Sequence, residues 1–253
     1  PYDRSTGASR STTLMGLAVQ EACRDLRQQL LEIASALCGR PAAHLSFEEG
    51  EVLGPDQVAM PYGDLIRRFY GMDGGELIGR GYVRPATGGD RLTARPIFWE
   101  VAWGAAEVGV DRETGEVQVR RYVSAADVGK AINPLLAEGQ DEGAAMMGIG
   151  HTLYEALRNE GGQVLNANLV DYRVPLITDL PDEFVTILVE EGNGPGAFGA
   201  KGMGEGAINP VAPAVAAAVA RACGVRITEL PLTAERVWRA LRQQAARAGA
   251  PVR

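Results

Sequence analysis

Seven glycines crowd between Gly192 and Gly206, and the run Gly196-Ala-Phe-Gly-Ala-Lys-Gly-Met-Gly-Glu205-Gly-Ala-Ile-Asn-Pro210 holds most of them. Such a segment is a poor helix or strand, because glycine loses the most freedom on ordering. Its use is φ > 0 or close approach of the backbone to something else. The run therefore forces a loop, and the rest of the fold has to be built around it. Glu205 sits between two of these glycines, just ahead of an apolar helix pattern. A carboxylate held there is expected to be partly desolvated, a condition that favours its use as a base. The same residues also read as a flexible glycine loop carrying an incidental glutamate.

The 253 residues suffice for one large domain or two small ones with an ample core. A net charge of −7 and a pI near 5.0 provide no positive field to gather phosphates, which argues against a nucleic-acid partner. The richest apolar run, 211–220, is about half the length of a membrane span, so no span is expected. Cys23, Cys38 and Cys223 stand far apart, with no CxxC or Cys/His cluster. Neither a zinc nor an iron–sulfur site is expected within the chain. Cys23 and Cys223 fall in helix patterns and read as core residues. The odd cysteine count fits a reducing, cytoplasmic compartment. The chain opens at Pro1 inside what reads as functional sequence, so a split or processed subunit, or a fragment of a longer protein, is expected.

Residues 1–13 are polar and turn-like. Leu14, Ala18, Ala22, Leu26, Leu30, Ile33 and Leu37 then recur at three- and four-residue steps, which predicts a helix from about Ser11 to Leu37, ended by Gly39-Arg-Pro41. Short strands are expected over 44–60, a short helix over 61–70, and irregular glycine-rich chain over 71–96. The clearest hairpin runs from Phe98 to Val123, with its turn at 111–115. Asn133-Pro134 opens a helix. Segments 164–174 and 184–191 read as strands, and helices near 211–222 and 234–247 close the chain. Asn209-Pro210 and Thr233 are the expected N-terminal signals of those helices, and Gly224 the stop of the first. Helices mixed with largely antiparallel hairpins give an α+β class.

Two further segments carry possible chemistry. Ser5-Thr-Gly-Ala-Ser-Arg-Ser-Thr-Thr13 places hydroxyls, a glycine and Arg10 at the start of the long helix. Unpaired N–H groups, the helix dipole and a guanidinium suit phosphate or pyrophosphate. An ordinary N-cap cluster is the alternative. The segment is not a P-loop, having no GxxxxGK[ST] pattern. The second is 127–143, Asp127-Val-Gly-Lys-Ala-Ile-Asn-Pro to Gly139-Gln-Asp-Glu-Gly143, which on its own reads as a turn and a helix N-terminus with Gln140 solvated. His44 and His151 are too far apart to suggest a metal motif. Trp99 and Trp103 read as core or interface, and Tyr172 as packing.

The stretch from Gly196 to Leu241, with Lys201-Gly-Met-Gly-Glu205 and Gly224-Val-Arg-Ile followed by Glu229-Leu-Pro-Leu-Thr233, closely resembles the end of the large subunit of the molybdenum hydroxylases. This is the family of xanthine dehydrogenase, aldehyde oxidase and carbon monoxide dehydrogenase. Thr6-Gly-Ala-Ser-Arg-Ser-Thr12 resembles its TGxSRST-like stretch, and 127–143 its DxGxxINPxxxxGQxEG stretch. Four such segments occur in the family order, across nearly the whole chain.

The resemblance implies the C-terminal molybdenum-cofactor-binding part of that subunit, as one domain or two closely packed subdomains over 1–253. It implies molybdenum–molybdopterin, plain or as the cytosine dinucleotide, contacted by Thr6, Gly7, Ala8, Ser9, Arg10, Ser11, Gln140, Lys201, Gly202 and Gly204. Lys201 is left with two roles, toward the Glu205 carboxylate or toward a cofactor phosphate. Glu205 becomes the general base in hydroxylation of an aldehyde, purine or N-heterocycle carbon with water-derived oxygen. The implied partners are the N-terminal molybdenum-binding half of the large subunit, an FAD subunit and a 2Fe-2S iron–sulfur subunit. One departure stands out: Met147 occupies a position where many members have Gln. It supports a second reading, a non-catalytic structural or cofactor-holding subunit, which retention of Glu205 opposes. A nucleotide-binding module using residues 5–13 is the third, opposed by the lack of any phosphate-loop or dinucleotide fingerprint.

Overall fold

The computed structural model of the chain describes residues 5–54, 59–84 and 96–247. The chain divides into two compact units, Ser11–Ile97 and a larger one of Phe98–Arg253 with Pro1–Arg10.

The smaller unit is a long helix over a small sheet. Helix α1 spans Ser11–Cys38, matching the range expected from its apolar spacing. Three short strands follow, β1 (Ser46–Glu48), β2 (Glu51–Leu53) and β3 (Ala59–Pro61), antiparallel in that order. Helix α2 spans Tyr62–Tyr70. Leu30, Ile33 and Ala34 of α1 pack with Val52 and Leu65, and Leu26 lies at the margin of that core. Cys23 is exposed, against expectation. It lies about one turn beyond Leu26, where the unit's core ends. Residues 71–84 form neither helix nor strand, as expected, and are tied back to α1 where Asp25 accepts the Arg80 N–H. The rest of that irregular stretch, 85–95, lies outside the described residues.

In the larger unit, β4 (Ala102–Val110) and β5 (Val117–Asp127) form the expected hairpin, starting at Ala102 rather than Phe98. Asp111 closes its turn by accepting the Glu113 and Thr114 N–H groups, which hold its carboxyl below the usual range. Helix α3 (Pro134–Leu153) is capped by Asn133, whose side chain accepts the Leu136 N–H. The small pair β6 (Asn159–Glu160) and β7 (Gln163–Val164) comes next, then β8 (Glu183–Val189), α4 (Val211–Cys223) and α5 (Ala234–Arg247).

Several expectations are corrected here. The sheet order is β4-β5-β8 and β8 runs parallel to β5, so this sheet is mixed. Helix α3 supplies the crossover that a parallel pair requires. Residues 165–174 are turns, because Asn168 draws the Val170 and Asp171 N–H groups to its own side chain. Helix α4 has Pro210 at its N-cap, with no side-chain cap, because Asn209 belongs to the preceding 3-10 turn, Gly206–Ile208. Trp99 and Trp103 are exposed, which removes the core alternative and leaves the interface one; Trp103 lies on the face of β4 that points away from the core.

The core gathers Val117, Val119 and Tyr122 of β5, Ile149 of α3, Val211, Val215 and Val219 of α4, and Val237 and Leu241 of α5. Gly206–Cys223 is the one described stretch long and apolar enough, at mean hydropathy 1.2, to cross a membrane. Its valines are buried in this core instead, which makes α4 a core helix.

Candidate functional site

The parallel pair brings two loops to one end of the sheet. Beyond β5 and β8, the Val128 N–H donates to the Val189 carbonyl, Gly192 N–H to Gly129 carbonyl, and Lys201 N–H to Val128 carbonyl. Glu190 accepts the Ala131 N–H and pairs with Lys130, contacts that hold its carboxyl below the usual range. The glycine-rich run is therefore laced to the segment after β5 and is not a free loop.

Lys201 lies within this lacing. Its Nζ is 2.7 Å from Asp127 Oδ2, and the two side chains are only 13% and 20% exposed. Asp127 also accepts the Gly129 N–H. Lys201 thus holds its own loop to the end of β5.

Four contacts surround Glu205. Ser9 Oγ donates to Glu205 Oε2 over a long 3.4 Å. Gln140, on α3, donates Nε2 to the Gly204 carbonyl at 2.8 Å. The Glu205 and Gly206 N–H groups both donate to Glu100 Oε1, at 3.1 and 2.7 Å. Gly202 is buried against the Ser9 backbone. The Glu205 side chain itself is exposed, so the desolvation expected of it does not come from this chain's own residues. The residue stands at the start of a one-turn 3-10 helix at the surface.

Ser5–Arg10 supplies the other side. Thr6, Gly7 and Ala8 are exposed, and Arg10 donates to the Ser5 carbonyl. Ala8 and Ser9 both take positive φ, 56° and 49°, a backbone state costly for non-glycine residues and found mostly where function demands it. This donor-rich, exposed turn joined to Glu205 through Ser9 fits an anionic, oxygen-rich group such as a pterin phosphate. Ser11 opens α1 and belongs to the other unit. Among the described residues no three His, Cys, Asp or Glu side chains gather as a metal cluster. The structure thus draws Ser9, Gln140, Gly202, Gly204 and Glu205 together.

Three acidic residues escaped the sequence reading as parts of this arrangement. Glu100 was visible only as a lone charge within the apolar Ile97-Phe-Trp-Glu-Val-Ala-Trp103. Asp127 belongs to a sequence motif, but nothing local marks it as the partner of Lys201. Asp141, next to Gln140, is fully buried and accepts from Ser124 of β5 and Thr186 of β8. Burial raises its carboxyl above the usual range, against the hydrogen bonds from Ser124 and Thr186. Asp141 ties α3 to the sheet directly beneath Gln140.

Comparison with known proteins places the family. The family profile of the molybdopterin cofactor-binding domain matches residues 1–181. The probable hypoxanthine oxidase of Escherichia coli is 31% identical over 245 residues, covering 95% of this chain and 24% of that protein. The aldehyde oxidoreductase molybdenum-binding subunit of Escherichia coli is 33% identical over 247 residues, covering 91% of this chain and 29% of that one. Quinoline 2-oxidoreductase from Pseudomonas putida 86 superposes with a TM-score of 0.77 at 26% identity, over 94% of this chain and 31% of that one. The fold is that of a molybdenum hydroxylase large subunit. The chain belongs to the molybdenum hydroxylase family, as a molybdopterin cofactor-binding domain. It spans roughly a quarter to a third of the length of the relatives it matches.

Proposed function

We propose that this chain is the C-terminal cofactor-binding part of the large subunit of a molybdenum-dependent oxidoreductase, with Glu205 as its general base. The observation that carries the reading is the contact of Ser9 with Glu205, which joins the donor-rich turn 5–10 to the one carboxylate on the glycine run. The substrate class is an aldehyde, a purine or an N-heterocycle, hydroxylated with oxygen from water. The relatives' printed names, a hypoxanthine oxidase, an aldehyde oxidoreductase and a quinoline oxidoreductase, support that range.

When bound, the molybdenum–pterin group supplies the redox chemistry and activates the water-derived oxygen. The chain's residues position and deprotonate. Thr6, Gly7, Ala8, Ser9 and Arg10 would hold the phosphate end of the pterin, with or without an attached cytosine nucleotide. Gln140, Gly202 and Gly204 set the backbone path of the base loop. Glu205 takes the proton from the attacking oxygen, with Ser9 Oγ orienting its Oε2. The rest of the large subunit, an FAD subunit and a 2Fe-2S subunit complete the enzyme in the cytoplasm, cover the exposed base and carry electrons away.

The test is Glu205→Gln in the assembled complex, with molybdenum and pterin content measured alongside turnover. Loss of turnover by orders of magnitude with metal retained is the expected result. Unchanged turnover overturns the base assignment. A complex that never contains molybdenum leaves the non-catalytic, structural reading.

A further inference from the structure

Glu100 lies just ahead of β4, far in sequence from the glycine run, and yet both N–H groups at the base meet its Oε1. The Gly206 bond, at 2.7 Å, is short. Gly206 is buried, so its N–H has no water to turn to if that acceptor is lost. Contact is close enough that a β-carbon on Gly206 would stand 2.6 Å from Glu100 Cγ. On the opposite side, Gln140 fixes the Gly204 carbonyl. The peptide groups before and after Glu205 are therefore both held by side chains, one from α3 and one from the segment entering β4.

We propose that Glu100 is a positioning residue for Glu205, fixing through the Glu205 and Gly206 N–H groups the loop that aims the base. The inference rests on the reading of Glu205 as base. Glu100 acts through the backbone, by accepting the Glu205 and Gly206 N–H groups. A neutral acceptor of the same shape would serve, since an amide oxygen has two lone pairs to offer. Misplacing a reacting group by about 1 Å costs on the order of a hundredfold in rate.

The experiment compares Glu100→Ala, Glu100→Gln and Glu205→Gln in the full cofactor-loaded complex. Three readouts are taken: kcat against KM, molybdenum content, and amide hydrogen exchange of the peptide spanning 203–208. Glu100→Ala is expected to lower kcat on the order of a hundredfold with KM and metal near the parent values. Exchange at the Glu205 and Gly206 amides should quicken in that variant. Glu100→Gln should restore both kcat and slow exchange. If Glu100→Ala fails to accumulate, Glu100→Asp, with its carboxylate one methylene shorter, is read in its place. Parent-like exchange in Glu100→Ala, or parent-like kcat there while Glu205→Gln is dead, overturns the inference. Full turnover in Glu205→Gln overturns the base reading itself, an outcome distinct from either.

Discussion

Gly202 runs so close to Ser9 that a β-carbon on it would stand 1.8 Å from the Ser9 carbonyl oxygen. This contact sets where Ser9, and therefore its hydroxyl, stands relative to Glu205. Gly202→Ala must push the two backbones apart. We expect a loss of about 1–3 kcal/mol together with reduced molybdenum and pterin in the purified complex. Gly7→Ala is the control for stability. A β-carbon there meets nothing within 4 Å, so the change should stay within about 0.5 kcal/mol. Chemical denaturation and metal analysis check both.

The Lys201–Asp127 pair is largely shielded from water. Removing one partner from such a pair leaves a charge without compensation. Lys201→Met is expected to cost about 3 kcal/mol in chemical denaturation. Adding Asp127→Asn should recover much of that, because the orphaned charge is gone while the amide can still accept from Gly129. A double variant no more stable than Lys201→Met alone would show that the pair's charge is not the source of the loss.

Asp141 gives the stability a pH signature. Burial raises its carboxyl in the folded chain above the ordinary value of 3.8. The folded state therefore keeps the proton longer than the unfolded one. Its contribution is fully present below about pH 3.8 and is lost as pH rises through the raised value. Asp141→Asn keeps a neutral group able to bond Ser124 and Thr186. The variant's stability relative to the parent should climb as pH rises from the acid side and then level off above the raised value. Denaturation midpoints of both proteins across that range check the sign; a flat difference would contradict it.

Cysteine reactivity should divide the chain in two. Cys23 and Cys38 are exposed, whereas Cys223 is buried in the core with its thiol pushed up by desolvation. Alkylation near pH 8 is expected to label the first two quickly and Cys223 only after unfolding. Mass spectrometry of the labelled peptides reads the order directly.

Legibility in the sequence followed the range of the interactions. Helix α1 could be read because its apolar residues recur at helical steps, and the β4–β5 hairpin because Asp111 and Gly115 write their own turn. Segment 165–174 could not, since an Asn168 side chain captures backbone groups that a strand would need. The parallel placing of β8 is set by the crossover through α3, and nothing in the seven residues of that strand records it. Within the site, Ser5–Arg10, Gln140 and Glu205 stood out because each sits in a distinctive local run. Glu100 and Asp141 did not, because their partners lie across the fold.

The parallel pairing of β5 with β8 has a consequence in time. Residues 121–127 must find residues 183–189 before the loops beyond either strand can be laced together. Pairings so distant along the chain are slow to form. The bonds that hold Lys201 and its loop to the end of β5 depend on that pairing being in place.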